Sequence, residues 1–74
     1  MTERAQYCFK VKEFADGTPF IAMEPVHEDL SILSNRILLS FDLNKGTTFE
    51  RAKQIAEFMD ENISQVALTK IEDA

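Results

Sequence analysis

Only one stretch of this chain, Thr47 to Ile63, reads as a long helix from the period of its apolar residues; most of the rest reads as strands that need something to pack against. At 100° per residue, Phe49, Ala52, Ile55, Ala56, Met59 and Ile63 fall within an arc of about 120°, the width of a core-facing stripe. Gly46 ends the preceding segment. Thr47 and Glu50 fit the S/T-x-x-E capping box, in which the hydroxyl accepts from the N3 amide and the carboxylate reaches back to the cap amide. A cap of this kind contributes about 1 kcal/mol, enough to set where the helix starts. A chain with one such helix must bury its strands against that helix or against another molecule.

The strands are read from alternation. Tyr7, Phe9 and Val11 point one way, with Cys8, Lys10 and Lys12 on the other side. Asp16-Gly17 follows, a hairpin signal because the turn needs a positive φ that glycine adopts freely. Pro19 opens the next strand, having no N–H to give to the middle of a ladder. Phe20-Ile21-Ala22-Met23 is apolar on both faces, which predicts a central strand or an edge covered from outside. From Arg36 to Leu43 the residues Ile37, Leu39, Phe41 and Leu43 form an apolar face, with Leu38, Ser40 and Asp42 behind. The helix stripe is expected to pack on that face, so truncating Leu39 or Ile55 to alanine is expected to cost about 2–5 kcal/mol. Asn44-Lys45-Gly46 forms the turn into the helix, and Ser64 to Ile71 is rich enough in Val, Ala, Leu, Thr and Ile for a fourth strand, with a continuation of the helix as the alternative. The expected fold is α+β: a β-β-β-α-β domain over 1–74, its sheet mainly antiparallel, one long helix on one face, and residues 1–5 and 72–74 frayed.

At 74 residues with one cysteine, Cys8, the chain has no internal disulfide. Its His and Cys content offers no structural zinc set either, so self-association is the remaining staple for a core this small. Glu24, His27, Glu28 and Asp29 lack both the paired His or Cys of a zinc site and the spacing of a calcium loop, and they read as a solvated acidic connection. No metal or cofactor is expected. Cys8 shares a face with lysines but has no resolving cysteine beside it, and reads as a small hydrophobe.

A net charge of −5 disfavours contact with phosphates and anionic lipid. The longest apolar run, Ile37-Leu38-Leu39, is far shorter than the roughly 20 residues of a membrane span. Met1 to Gln6 has no apolar signal-peptide region. A cytoplasmic location is expected, with no nucleic-acid or membrane partner. With only Gly17 and Gly46 there is no phosphate-cradling loop. Glu57, Asp60 and Glu61 lie on the polar helix face, where they read as solvated rather than as an acid–base pair. The chain is therefore not expected to be an enzyme.

Two families share features with this chain. Gly46-Thr47-Thr48 leading into Glu50-Arg51-Ala52-Lys53-Gln54-Ile55-Ala56 resembles the last helix of double-stranded RNA-binding domains. The lysines with which that family meets phosphate correspond here to Phe49 and Glu50. The Asp16-Gly17 hairpin, the sheet and the Gly46-Thr47-Thr48-Phe49-Glu50-Arg51-Ala52 helix start resemble HicB-like antitoxin domains. That resemblance implies a module that binds a partner protein and is often dimeric, although Val26–Asn35 and an extra strand stand where the family has a short link. More broadly the chain is similar to small acidic bacterial domains of unknown function, which assigns no activity.

Phe58 breaks the helix pattern, lying about 60° outside the stripe. Phe58, Phe20 and Leu38 are the candidate partner-binding residues, because each adds apolar surface for which the chain offers no evident cover. The functional expectation is a protein-interaction module that pairs with another protein or with itself as a homodimer.

Overall fold

The computed structural model describes residues 1–33 and 37–71, and among them the chain is α+β, with five strands in two antiparallel sheets and one helix packed on them. Strand β1 is Thr2–Ala5, β2 is Tyr7–Glu13, β3 is Pro19–Pro25, β4 is Ser40–Asp42 and β5 is Val66–Thr69; helix α1 is Phe49–Asn62. One sheet has the order β2-β3-β4, the other pairs β1 with β5. The molecule extends 42 × 24 × 24 Å with a radius of gyration of 13.9 Å. A compact chain of this length would have a radius near 11 Å. Elongation leaves more apolar surface uncovered.

The hairpin between β2 and β3 closes through Ala15-Asp16-Gly17. Phe14 N–H donates to Thr18 O at 2.9 Å, and Gly17 N–H donates back to Phe14 O at 2.9 Å. Gly17 has φ 87°, as a three-residue connection ending in the left-handed region requires. The Asp16 carboxylate accepts from Thr18 N–H at 3.0 Å, which holds its pKa below the usual aspartate value. The register Phe9↔Met23 and Val11↔Ile21 puts Phe9, Ile21 and Met23 on one face, and they form the core with Ala5, Tyr7, Leu30 and Ala56.

The helix begins one residue later than the capping box predicts. Thr48 is the N-cap, its Oγ1 accepting from Arg51 N–H at 3.1 Å, while Thr47 turns its hydroxyl back to Asn44 O at 2.6 Å. Ala52 and Ala56 face the sheet and are buried. Their small side chains let α1 lie close over β2 and, to a lesser extent, β3. A helix about 10 Å across spans two strands spaced about 4.8 Å apart, and the third is left out.

The expected packing of the helix on the Arg36–Leu43 face is corrected accordingly. Within that range the regular strand is only Ser40–Asp42, and Arg36 lies outside the described residues. Ile37, Leu39 and Phe41 are 53%, 43% and 38% exposed, so Leu39 is not at the centre of the core. Ile21, at 0% exposure, holds that place.

Both ends of the described chain meet. Thr2–Ala5, expected to fray, pairs with Val66–Thr69 in the register Thr2↔Thr69 to Ala5↔Val66. Lys70 N–H donates to Met1 O at 3.1 Å. The expected final strand therefore forms over Val66–Thr69, but it joins a second sheet rather than lying beside β4. Residues 72–74, expected to fray, lie outside the described residues.

Candidate interaction surface

The three-stranded sheet ends in two edges, and the ladder determines which backbone groups each one presents. Phe14 pairs with Thr18 and Gln6 with Val26, so the even residues of β2 bond to β3 and the odd ones face outward. On β3 the odd residues face β4, as shown by Met23 N–H donating to Leu39 O at 3.2 Å. The N–H and C=O groups of Ser40 and Asp42 therefore point away from the sheet.

The β2 edge is blunted. Phe9 N–H, which faces outward, donates to the Asp60 carboxylate of α1 at 2.8 Å. Lys10 and Lys12 stand along the same strand and discourage a neighbouring strand. Between this edge and the helix lies a cleft of about 520 Å³, lined by Phe9, Lys10, Val11, Phe49, Lys53, Ala56, Glu57 and Asp60. Its charges are mixed, and Asp60 is already committed to the strand.

The β4 edge has no such cap. Among the described residues none bonds to the outward backbone groups of Ser40 or Asp42. Apolar residues are exposed here: Leu38 is 59% exposed, Ile37 and Leu39 adjoin it, and Phe41 sits against Phe9 with ring centroids 6.2 Å apart. The register Ile21↔Phe41 places Phe41 on the helix side of the sheet.

The three candidate partner-binding residues part company in the structure. Leu38 is on this exposed edge. Phe58 is 66% exposed, beside Arg51, Gln54 and Ile55, with Arg51 Nη1 donating to Gln54 Oε1 at 3.1 Å. On the helical wheel Phe58 lies about 160° from Asp60, on the flank turned away from the β2 edge. Phe20 is different. It is 9% exposed and stacks on Phe14 with centroids 4.3 Å apart. The back of β3 is covered within the chain, since Phe14 lies over Phe20 and the Lys12–Glu24 ion pair, at 3.2 Å, crosses the position of Ala22. Phe20 offers no open surface.

Asp29, read in the sequence as part of a solvated loop, is structural. Tyr7 donates its hydroxyl to Asp29 Oδ1 and accepts from Leu30 N–H at 3.0 Å. Burial, then the bond to Asp29, raises the Tyr7 pKa. Glu3 of β1 accepts from the Ser31 hydroxyl at 2.7 Å, so the 3₁₀ turn Ser31–Leu33 is tied to the second sheet. His27 is exposed, and among the described residues no group of three or more His, Cys, Asp or Glu is placed to hold a metal ion. Cys8 is a half-buried free thiol opposite Glu24. Asp60 was hidden in the sequence by its place on the polar face. Its position about 20° from Phe49, at the margin of the stripe, was the available signal.

The fold and this surface define a small α+β domain whose three-stranded sheet has one capped and one open edge. Compared with protein-family models, curated proteins and solved structures, the chain matches none. Among the described residues no helix is long and apolar enough to cross a membrane.

Proposed function

We propose that this chain is a non-enzymatic protein-interaction module that works in the cytoplasm. The observation that carries the reading is the run Ile37-Leu38-Leu39 with Phe41, exposed beside an uncapped sheet edge. Ile37, Leu39 and Phe41 share one face by alternation, and exposed apolar side chains gathered on one face mark an interaction site. Phe58, with Arg51 beside it, adds the residue types that anchor protein interfaces. Among the described residues, Tyr7 and Asp16 have shifted pKa values, and each serves the fold: one ties a connection to β2 and the other builds a turn. The charge of −5 favours protein over nucleic acid or anionic lipid as the partner.

The test is the double variant Leu38→Glu with Phe58→Glu. Both side chains are exposed, so circular dichroism should show it folded. It should lose the association that the native chain shows in sedimentation or in capture from its host. A native chain that neither self-associates nor retains a partner would end this reading.

A further inference from the structure

We infer that β1 and β5 form a clasp that opens as one unit while α1 and the three-stranded sheet stay folded, so that β5 is a removable cover on a sheet edge. Hydrogen-bond parity places β5 on that edge. Val26 N–H donates to Gln6 O at 3.0 Å, so along β2 the even residues bond toward β3 and the odd ones face outward. Lys70 N–H donates to Met1 O, and the register then makes Glu3↔Leu68 and Ala5↔Val66 bonded pairs as well. Odd residues of β1 thus bond to β5. Gln6 alone separates β1 from β2, so β5 lies on the side where β2 turns its odd residues outward and Asp60 caps Phe9.

The cover can leave without unfolding the rest. A two-stranded ladder is marginal unless one face is well buried. Here the burial lies at one end: Ala5 is buried and Val66 packs on the core, whereas Thr2, Arg4, Ala67 and Thr69 are exposed. The large buried side chains Phe9, Ile21, Met23 and Leu30 belong to the body, and α1 packs across β2 and β3. A ladder with exposed bonds and little buried apolar area opens at lower free energy than the core it borders. Both hinges are fixed on the body side. Gln6 keeps its bond from Val26, and Ile63 N–H, closing α1, keeps its bond to Met59 O at 2.8 Å. Opening gives up the β1–β5 ladder, the packing of Ala5 and Val66, and the bond from the Ser31 hydroxyl to Glu3. It frees the outward backbone groups of Glu3 and Ala5.

Amide hydrogen exchange, read residue by residue by NMR on the native chain at rising concentrations of urea below the unfolding transition, tests the clasp. The amides of Glu3, Ala5, Val66, Leu68 and Lys70 should share one opening. They should be at least about tenfold less protected than those of Lys10 and Ala22, which bond between β2 and β3. Their exchange should depend little on urea, because a local opening exposes little surface. Leu68→Pro removes the N–H that bonds to Glu3 O and should hold the clasp open. In that variant the Glu3 and Ala5 amides should exchange as unprotected ones, with Lys10 and Ala22 still protected and the helical circular dichroism unchanged. Equal protection and equal urea dependence at Ala5 and Ala22 overturn the clasp, because β1 and β5 then part only with the whole molecule. Protection that climbs stepwise from Lys70 to Val66 shows fraying rather than a unit and also overturns it, as does a Leu68→Pro chain that loses its helix.

Discussion

The amide of Phe9 in β2 donates to the carboxylate of Asp60 in α1, 2.8 Å away and 51 residues along the chain. One bond therefore ties the helix to the sheet and closes the edge of β2. Asp60→Ala should cost about 1–3 kcal/mol, because it leaves the amide of a buried residue without its acceptor. Asp60→Asn, which keeps an acceptor, should cost less. Urea unfolding measures both, and hydrogen exchange at the Phe9 amide should quicken in Asp60→Ala before the rest of β2 does.

Tyr7 makes an alkaline prediction. Its folded-state pKa is raised by burial and by the bond to Asp29, so the folded chain holds the phenolic proton more tightly than the unfolded chain. The stability this contributes is complete below the unfolded value near 10 and is lost as pH rises through the folded value. Tyr7→Phe should lower stability at neutral pH by about 1–2 kcal/mol, since Leu30 N–H still has Asp29 to bond. It should also flatten the loss of stability above pH 10 or so, read as urea midpoints from neutral to alkaline pH.

Core substitutions should follow the observed burial rather than the strand pattern. Ile21→Ala empties a fully buried position and should cost about 2–5 kcal/mol. Leu39→Ala, at a position 43% exposed, should cost the monomer about 1 kcal/mol. Thermal unfolding at low protein concentration separates the two. Equal losses would place Leu39 back in the core.

The hairpin gives a test at acid pH. Thr18 N–H favours the charged form of Asp16, so the stability from this contact is present above the ordinary aspartate value and lost as pH falls through the lowered one. Asp16→Ala should remove that part of the acid dependence. Gly17→Ala should cost about 1–2 kcal/mol from backbone strain alone, because φ is 87° and a Cβ there would meet nothing within 4 Å. Gly17→Asn, which tolerates the left-handed region better, should cost less in the same melts.

The helix, the Asp16-Gly17 hairpin and the strands at β2 and β3 were legible in the sequence, because periodicity, glycine freedom and hydroxyl caps act over a few neighbouring residues. Even there the cap lay one residue off, since Thr47 and Thr48 are chemically alike and only the turn bond from Thr47 to Asn44 separates them. The surface was half legible. Leu38 and Phe58 stand out as apolar residues on faces with no local cover, and both are exposed. Phe20 gives the same signal, yet Phe14 lies over it, and that stack depends on how the hairpin bends. The pairing of β1 with β5, the turn of Asp29 toward Tyr7 and the closing of β2 by Asp60 each join residues more than twenty positions apart. No local pattern encodes such a choice, because each is a competition among all partners the folded chain brings within reach. Alternation along 37–43 likewise defines an apolar face by itself. Whether that face is core or surface was decided by the tertiary structure, in which a helix two strands wide, seated on its two alanines, covers β2 and β3 and leaves β4 open.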